Sequence, residues 1–188
     1  MNKPLALLLL LLAGCGQAPA TPPPLAGARI GGPFALVDGD GVTRTERDYA
    51  GRYRIMYFGY TFCPDVCPTD MQVIGQAMTR VDAAKAAKIV PIFVTIDPAR
   101  DTPAVVKRFA ATFHPRAVGL TGSPEAIARA QKAYVVYAKR GAATRSGGYL
   151  MDHSRQAYLM APDGSPVALL PTEQGAAAVA AEIERWVR

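Results

Sequence analysis

Apolar and polar positions along this chain follow two periods, and the changes between them mark out its elements. Ile89 to Ile96, IVPIFVTI, is a continuous apolar run rich in β-branched residues, the pattern of a strand buried on both faces. Arg54 to Tyr60, RIMYFGY, reads the same way, and a short strand is expected over Val118 to Leu120. Met71, Ile74, Met78 and Val81 recur instead at helical spacing, behind an opening at Pro68-Thr69-Asp70. Thr102 to Phe113 predicts a helix with Pro103 at an early position, where its missing N–H is harmless. Ser123 to Tyr134 predicts another, capped by Ser123 and with Glu125 in its first turn. Phe34 to Val37 and Val42-Thr43 flank the turn Asp38-Gly39-Asp40-Gly41 as a hairpin. Gln156 to Met160 and Val167 to Leu170 flank Pro162-Asp163-Gly164 similarly, and Thr172 to Val187 closes the chain as a helix. Val135 to Ala138 is a further strand candidate, whereas Gly141 to Gly148 has no periodicity and reads as a flexible loop. Strands alternating with helices, then a hairpin and a last helix, predict an α/β sandwich around a central mixed sheet with flanking helices.

The first residues do not belong to that pattern. MNKPLALLLLLLAGC holds Lys3, an apolar run too short for a permanent membrane span, and then small residues before Cys15. It suits the apolar region of a signal peptide. Leu12-Ala13-Gly14-Cys15 is similar to the lipobox of bacterial lipoproteins, in which cleavage precedes the cysteine and its thiol receives lipid. Residues 1–14 are therefore expected to be removed and Cys15 to be lipidated. Residues 15–28, rich in Pro, Ala and Gly, read as an extended tether, and 29–188 as one domain held outside the cytoplasm. Oxidising surroundings there make free thiols something that needs a reason. Twenty-one Lys and Arg against 15 Asp and Glu give a net charge of +6, but the basic residues are scattered. No basic run or interleaved aromatic stripe supports nucleic-acid binding, and the charge reads as a solvated surface.

The chemistry concentrates in YTFCPDVCPTD, where the strand over 54–60 ends and a helix begins. Lipidation of Cys15 leaves two of the three cysteines, Cys63 and Cys67. Four apart at a strand-to-helix turn, they share one side of the helix, and its partly positive N-terminus favours thiolate. A dithiol so placed is the thioredoxin-like arrangement. Thiolate attacks disulfides and also binds metal, so spacing alone leaves exchange, metal binding and a structural disulfide open. A C-x-x-C pair would favour exchange, and the extra residue here suits a metal clamp at least as well. Pro64 and Pro68 beside the pair argue against simple core packing. Of the two histidines, His114 at a helix end reads as a partner of the helix dipole. His153, in Tyr149-Leu150-Met151-Asp152-His153-Ser154, follows the glycine-rich loop, which lets it swing towards the dithiol. Two thiolates and an imidazole form a soft set that selects Cu(I) and can hold Cu(II). Structural zinc would want a fourth ligand; Asp65 or Asp152 could supply one, but nothing in the spacing requires it. Met56, Met71, Met78, Met151 and Met160 fall mostly at core-like positions and read as packing.

Tyr60-Thr61-Phe62-Cys63-Pro64-Asp65-Val66-Cys67-Pro68-Thr69 closely resembles the signature of the Sco/SenC family. Asp97-Pro98-Ala99-Arg100-Asp101-Thr102-Pro103, Gly119-Leu120-Thr121-Gly122 and Asp152-His153-Ser154 resemble that family's later blocks, in order. The resemblance implies a thioredoxin-like sandwich with an inserted hairpin, and copper held by Cys63, Cys67 and His153. It implies a metallochaperone that delivers copper to the binuclear Cu-A centre of cytochrome c oxidase, or a thiol-disulfide oxidoreductase that keeps that centre's cysteines reduced. In the second role Cys63 and Cys67 are the catalytic thiols, and in the oxidised form they pair as a disulfide. The implied partners are the copper-site subunit of the oxidase, another copper chaperone, and a membrane of the bacterial cell envelope reached through the lipid. Many relatives carry an uncleaved transmembrane helix, and the lipobox departs from that pattern. Asp97 and Asp101 beside Arg100 are expected to brace the loop near the dithiol by ion pairing. Asp152 is expected to orient His153, and Asp65 to serve docking or tune the copper site.

Overall fold

The computed structural model describes residues 21–143 and 148–188. The expected signal peptide, Cys15 and part of the Gly141 to Gly148 loop lie outside the described residues. The chain forms a seven-stranded mixed sheet in the order β2-β1-β5-β4-β3-β8-β9 and a separate two-stranded hairpin, β6-β7. At the centre lie β3 (Tyr53–Gly59) and β4 (Ile89–Thr95), which run parallel, with β5 (Val118–Thr121) parallel to β4. Their apolar runs follow from burial on both faces, and every residue of β4 is buried. Pro91 sits in this central strand because the β4–β5 pairing begins only at Ile92–Val118, beyond the proline. The strands β8 (Ala157–Met160) and β9 (Pro166–Leu170) extend the sheet antiparallel beyond β3. On the opposite side, β1 (Ala35–Asp38) and β2 (Thr43–Thr45) form the expected hairpin, and β1 pairs antiparallel with β5.

Successive residues of β3 face opposite layers. Tyr57 stacks on Phe93, which meets Phe109 of helix α3 (Pro103–Phe113). On that face α1 (Val66–Arg80) packs between α3 and the last helix, α5 (Ala176–Trp186). Phe58 points the other way, onto Tyr134 at the end of helix α4 (Pro124–Ala133). The result is a thioredoxin-like α/β sandwich, as expected from the sequence. A short helix, α2 (Ala83–Ala87), was not expected; Asp82 caps it through the Ala84 and Lys85 N–H groups.

Four expectations are corrected. Helix α1 begins at Val66, not Pro68, so Cys67 lies inside its first turn. The last helix begins at Ala176, behind a separate 3-10 turn over Thr172–Gln174, and Gly175 between them has φ of 86°. Residues 21–28 do not all hang free: the Leu25 N–H donates to Val167 O (3.1 Å) on the outer edge of β9, and Leu25 and Ile30 pack on the core. Val135 is not the start of a strand. The strand is β6 (Ala138–Ala143), and it pairs antiparallel with β7 (Tyr149–His153), so the expected loop's first residues, from Gly141 to Ala143, are strand. This hairpin sits between α4 and β8 in sequence.

Val135 has φ of 55°, a left-handed conformation that β-branched residues rarely adopt, and is 63% exposed. It ends α4: the Val136 N–H donates to Gln131 O (2.8 Å) across it. Glycine would adopt this conformation without Cβ strain. Val135→Gly is therefore expected to stabilise the protein by about 1 kcal/mol in urea unfolding, while Val135→Ala gains less.

Candidate functional site

The site grows from the C-terminal end of β3. The chain turns at Tyr60–Asp65 and enters α1, so Cys63 lies in the turn and Cys67 one helical turn later. Gly59 makes the room: a Cβ there would lie 2.9 Å from the Cys67 sulfur. Both thiols are free and buried. The Cys67 N–H points at the Cys63 sulfur (3.4 Å). Burial opposes ionisation of Cys63, but the N–H groups of Cys67, Asp65 and Val66 and the Cys67 thiol outweigh it and hold its thiol below the ordinary range. Cys67 differs. Burial, then the neighbouring Cys63, push its thiol well above the ordinary range. The helix N-terminus therefore activates one thiol and not the other, where the sequence reading gave both the same advantage.

Strand β7 brings the third group. His153 Nε2 lies 3.5 Å from Cys67 Sγ. His153 Nδ1 is 2.8 Å from the Ser154 carbonyl, which can only accept, so the proton sits on Nδ1 and the Nε2 lone pair faces the thiols. Tyr60 meets the imidazole ring edge-on at 5.9 Å between centroids. The hydrogen-bond contacts run from Cys63 to Cys67 to His153, and no cluster of three or more His, Cys, Asp or Glu among the described residues is already closed into a metal cage. Cys63, His153 and Tyr60 line a recess of about 580 Å³ that also meets Pro64, Asp65, Tyr137, Leu150 and Met151.

Two supports hold His153 that the sequence reading did not foresee in this form. Asp70, one turn after Cys67, is wholly buried. Its carboxylate accepts two bonds from Arg155 (Nε to Oδ2 2.8 Å, Nη2 to Oδ1 2.6 Å) and one from the Tyr57 hydroxyl (2.9 Å). Arg155 follows His153 by two residues, so this bidentate pair ties the end of β7 to α1. The other support is Arg100, whose Nε donates to Asp97 Oδ2 (2.5 Å) and whose Nη1 donates to the Tyr149 carbonyl (3.0 Å). The Asp97–Arg100 part of the expected brace is thus present. Asp101 turns inward instead, accepting from Thr61 N (3.0 Å), Thr61 Oγ1 (2.6 Å) and Thr95 Oγ1 (2.6 Å). Burial raises its carboxyl above the usual range, because no cation reaches it to offset desolvation.

Of the remaining candidates, Asp65, Asp152 and Met151 also line the recess. Asp152 is exposed and pairs in register with Lys139; the bond expected of it to His153 is made by the Ser154 carbonyl. Asp65 is exposed at the start of α1, where its carbonyl accepts from the Thr69 hydroxyl (2.8 Å). His114 ends α3, and its Nδ1 accepts from the Arg116 N–H (3.2 Å). Met56, Met71, Met78 and Met160 are core residues, and Met151 packs against that core.

Comparison with known proteins places this geometry in context. A family model described as SCO1/SenC matches residues 23–188. The protein SCO2 homolog, mitochondrial, of Bos taurus is 41% identical over 134 residues, which is 71% of this chain and 50% of the relative. Protein SCO1, mitochondrial, of Saccharomyces cerevisiae is 40% identical over 142 residues, 75% of this chain and 48% of the relative. The chain spans about half the length of the curated relatives it matches. Among solved structures, Bradyrhizobium japonicum ScoI with copper bound is 40% identical with a TM-score of 0.75, covering 84% of this chain and 99% of that one. Yeast Sco1 with copper bound gives 36% identity and a TM-score of 0.76, covering 84% of this chain and 88% of that one.

The unequal thiols predict unequal reactivity. A short pulse of iodoacetamide near neutral pH, followed by peptide mass mapping, is expected to label Cys63 well before Cys67. Equal labelling of the two would contradict the assigned asymmetry.

Proposed function

The chain belongs to the SCO1/SenC family, and from that premise we propose that Cys63, Cys67 and His153 take up copper as cargo and pass it on. The recipient in this reading is the Cu-A subunit of cytochrome c oxidase, and another copper chaperone supplies the metal. The observation that carries the reading is the Cys67 Sγ–His153 Nε2 contact, with Nδ1 tied to a carbonyl. An imidazole fixed in that tautomer offers a lone pair and not a proton to the space beside the sulfurs. Two sulfurs and a nitrogen are soft donors that favour Cu(I) and can hold Cu(II). Cys63 ionises more readily than Cys67, and a thiol must give up its proton to ligate, so uptake releases protons and weakens in acid. Release proceeds by ligand exchange as an acceptor's thiolates and imidazoles replace these three groups.

A specific observation supports a second reading, a thiol-disulfide oxidoreductase. A thiol held below the ordinary range beside one held above it is an attacking and resolving pair. The Cys63 thiolate would attack an acceptor disulfide, forming a mixed disulfide and freeing one acceptor thiolate. Cys67 would lose its proton, displace the second acceptor sulfur and leave the Cys63–Cys67 disulfide, so the acceptor gains two electrons. That oxidised form cannot bind copper through thiolates, and the two roles exclude each other at any one moment.

The envelope location belongs to the same proposal. Residues 1–14 would be removed and Cys15 lipidated, leaving the domain facing the extracytoplasmic space. No helix among the described residues is long and apolar enough to cross a membrane.

Copper titration of the reduced protein is expected to show one equivalent bound. The Cu(II) form should show a sulfur-to-copper charge-transfer band that Cys63→Ser abolishes. His153→Ala should weaken copper affinity at least tenfold, in the range of about 10–100-fold seen when histidine ligation is disturbed, yet reduce a Cu-A-domain disulfide at the wild-type rate. Weak copper binding by wild type together with rapid disulfide reduction would favour the oxidoreductase.

A further inference from the structure

His153 is held from both directions along its strand, and the two supports differ in kind. Downstream, Arg155 grips a carboxylate that is wholly buried in α1. Upstream, Tyr149 is held by a cluster on the loop after β4. Its hydroxyl donates to Asp97 Oδ1 (2.8 Å), its carbonyl accepts from Arg100 Nη1 (3.0 Å), and the Arg100 guanidinium lies over its ring at 3.6 Å. Tyr149 and His153 are four residues apart on a strand, so they share one face, and burial along β7 alternates accordingly. Fixing Tyr149 therefore fixes the direction in which His153 points. The hairpin has no other sheet to hold it: β6 and β7 pair only with each other.

We propose that Asp97, Arg100 and Tyr149 form a latch that fixes the β6-β7 arm and so positions His153 against the thiols. This inference rests on the copper reading for its purpose but not for its geometry. The contacts already run Cys63–Cys67–His153, so the direction in which His153 points decides whether its nitrogen meets the sulfurs. Arg100 also touches the dithiol loop, lying 4.7 Å from the ring centre of the exposed Phe62, and so links arm and loop directly. Its Nη2 is buried and has no acceptor among the described residues. The latch thus holds through three contacts to Tyr149. Asp97, Arg100 and Tyr149 act as positioning residues; none of them is placed among the donors.

Tyr149→Phe removes only the hydroxyl bond to Asp97 and keeps the ring, whereas Arg100→Ala removes the other two contacts, the bond to the Tyr149 carbonyl and the guanidinium over its ring. Hydrogen exchange of the copper-free, reduced protein reads the latch without copper. Amides of β6 and β7 are expected to exchange at least tenfold faster in Arg100→Ala and less so in Tyr149→Phe, with β3 and β4 unchanged. Copper dissociation into a chelator is expected to quicken by about 10–100-fold in Arg100→Ala, the range found when groups that orient a histidine ligand are removed. The Cu(II) EPR hyperfine pattern should change in step, and Arg100→Lys should restore it only in part, since lysine keeps the charge without the planar fork. Unchanged hairpin exchange in Arg100→Ala overturns the latch, whatever copper does. Faster hairpin exchange in a protein whose wild type binds no copper overturns the copper reading and leaves the latch standing. Faster exchange with wild-type copper dissociation and spectrum overturns the positioning role. Faster exchange in β3 and β4 as well would show general destabilisation and also overturn it.

Discussion

The carboxylate of Asp70 is the constraint on which the site rests. It is out of water beneath Cys67, and an ionised carboxylate there is strongly unfavourable unless its lone pairs are taken up. Arg155 and the Tyr57 hydroxyl take them up. Their satisfaction has three consequences for the chain. It fixes the first turns of α1, and with them Cys67. It joins β3 to α1 through Tyr57. It also draws in the segment after β7, setting His153 beside the sulfur. A buried pair of this kind adds little net stability compared with apolar packing, but leaving one partner behind is severe. Here its effect is on position: it selects the one arrangement in which an imidazole meets a thiol.

The two thiols then divide their work by environment. Cys63 lies where three backbone N–H groups converge, and Cys67 lies one turn deeper in an apolar layer. One is prepared for ionisation and the other resists it. Both readings of the site use this difference. For metal uptake it means a first anchor and a second that loses its proton on closure. For exchange it means an attacking and a resolving sulfur. The Cys67–His153 contact separates the two, because exchange needs no imidazole lone pair.

Much of the layer structure was legible in the chain. IVPIFVTI is apolar without a break because β4 is covered on both faces, and Thr102 and Ser123 stand directly before helices α3 and α4. The Cys63/Cys67 pair and His153 stood out as residue types with few structural uses. The hairpin over 138–153 was harder to read, since it packs on one side only and its exposed face carries Lys139 and Asp152 beside Leu150. Such alternation is too weak to separate from a loop. Asp70 and Arg155 gave no signal, because an ion pair between residues 85 apart is set by tertiary packing and not by local spacing. Asp97 and Arg100 did give one, being three apart, but their grip on Tyr149 did not.

Strand β7 makes the nature of the site a matter of parity. Side chains alternate strictly, so an even number of steps from Tyr149 brings an imidazole to the sulfurs, while Asp152, at an odd number, looks into water. One residue inserted between Leu150 and Met151, with the strand held at Tyr149 alone, would exchange the two. A hard carboxylate oxygen would then stand where a nitrogen now does, and the pocket would turn from soft ions towards harder ones. Selectivity for the ion is thus encoded in the count of residues along a short ribbon as much as in the ligands themselves.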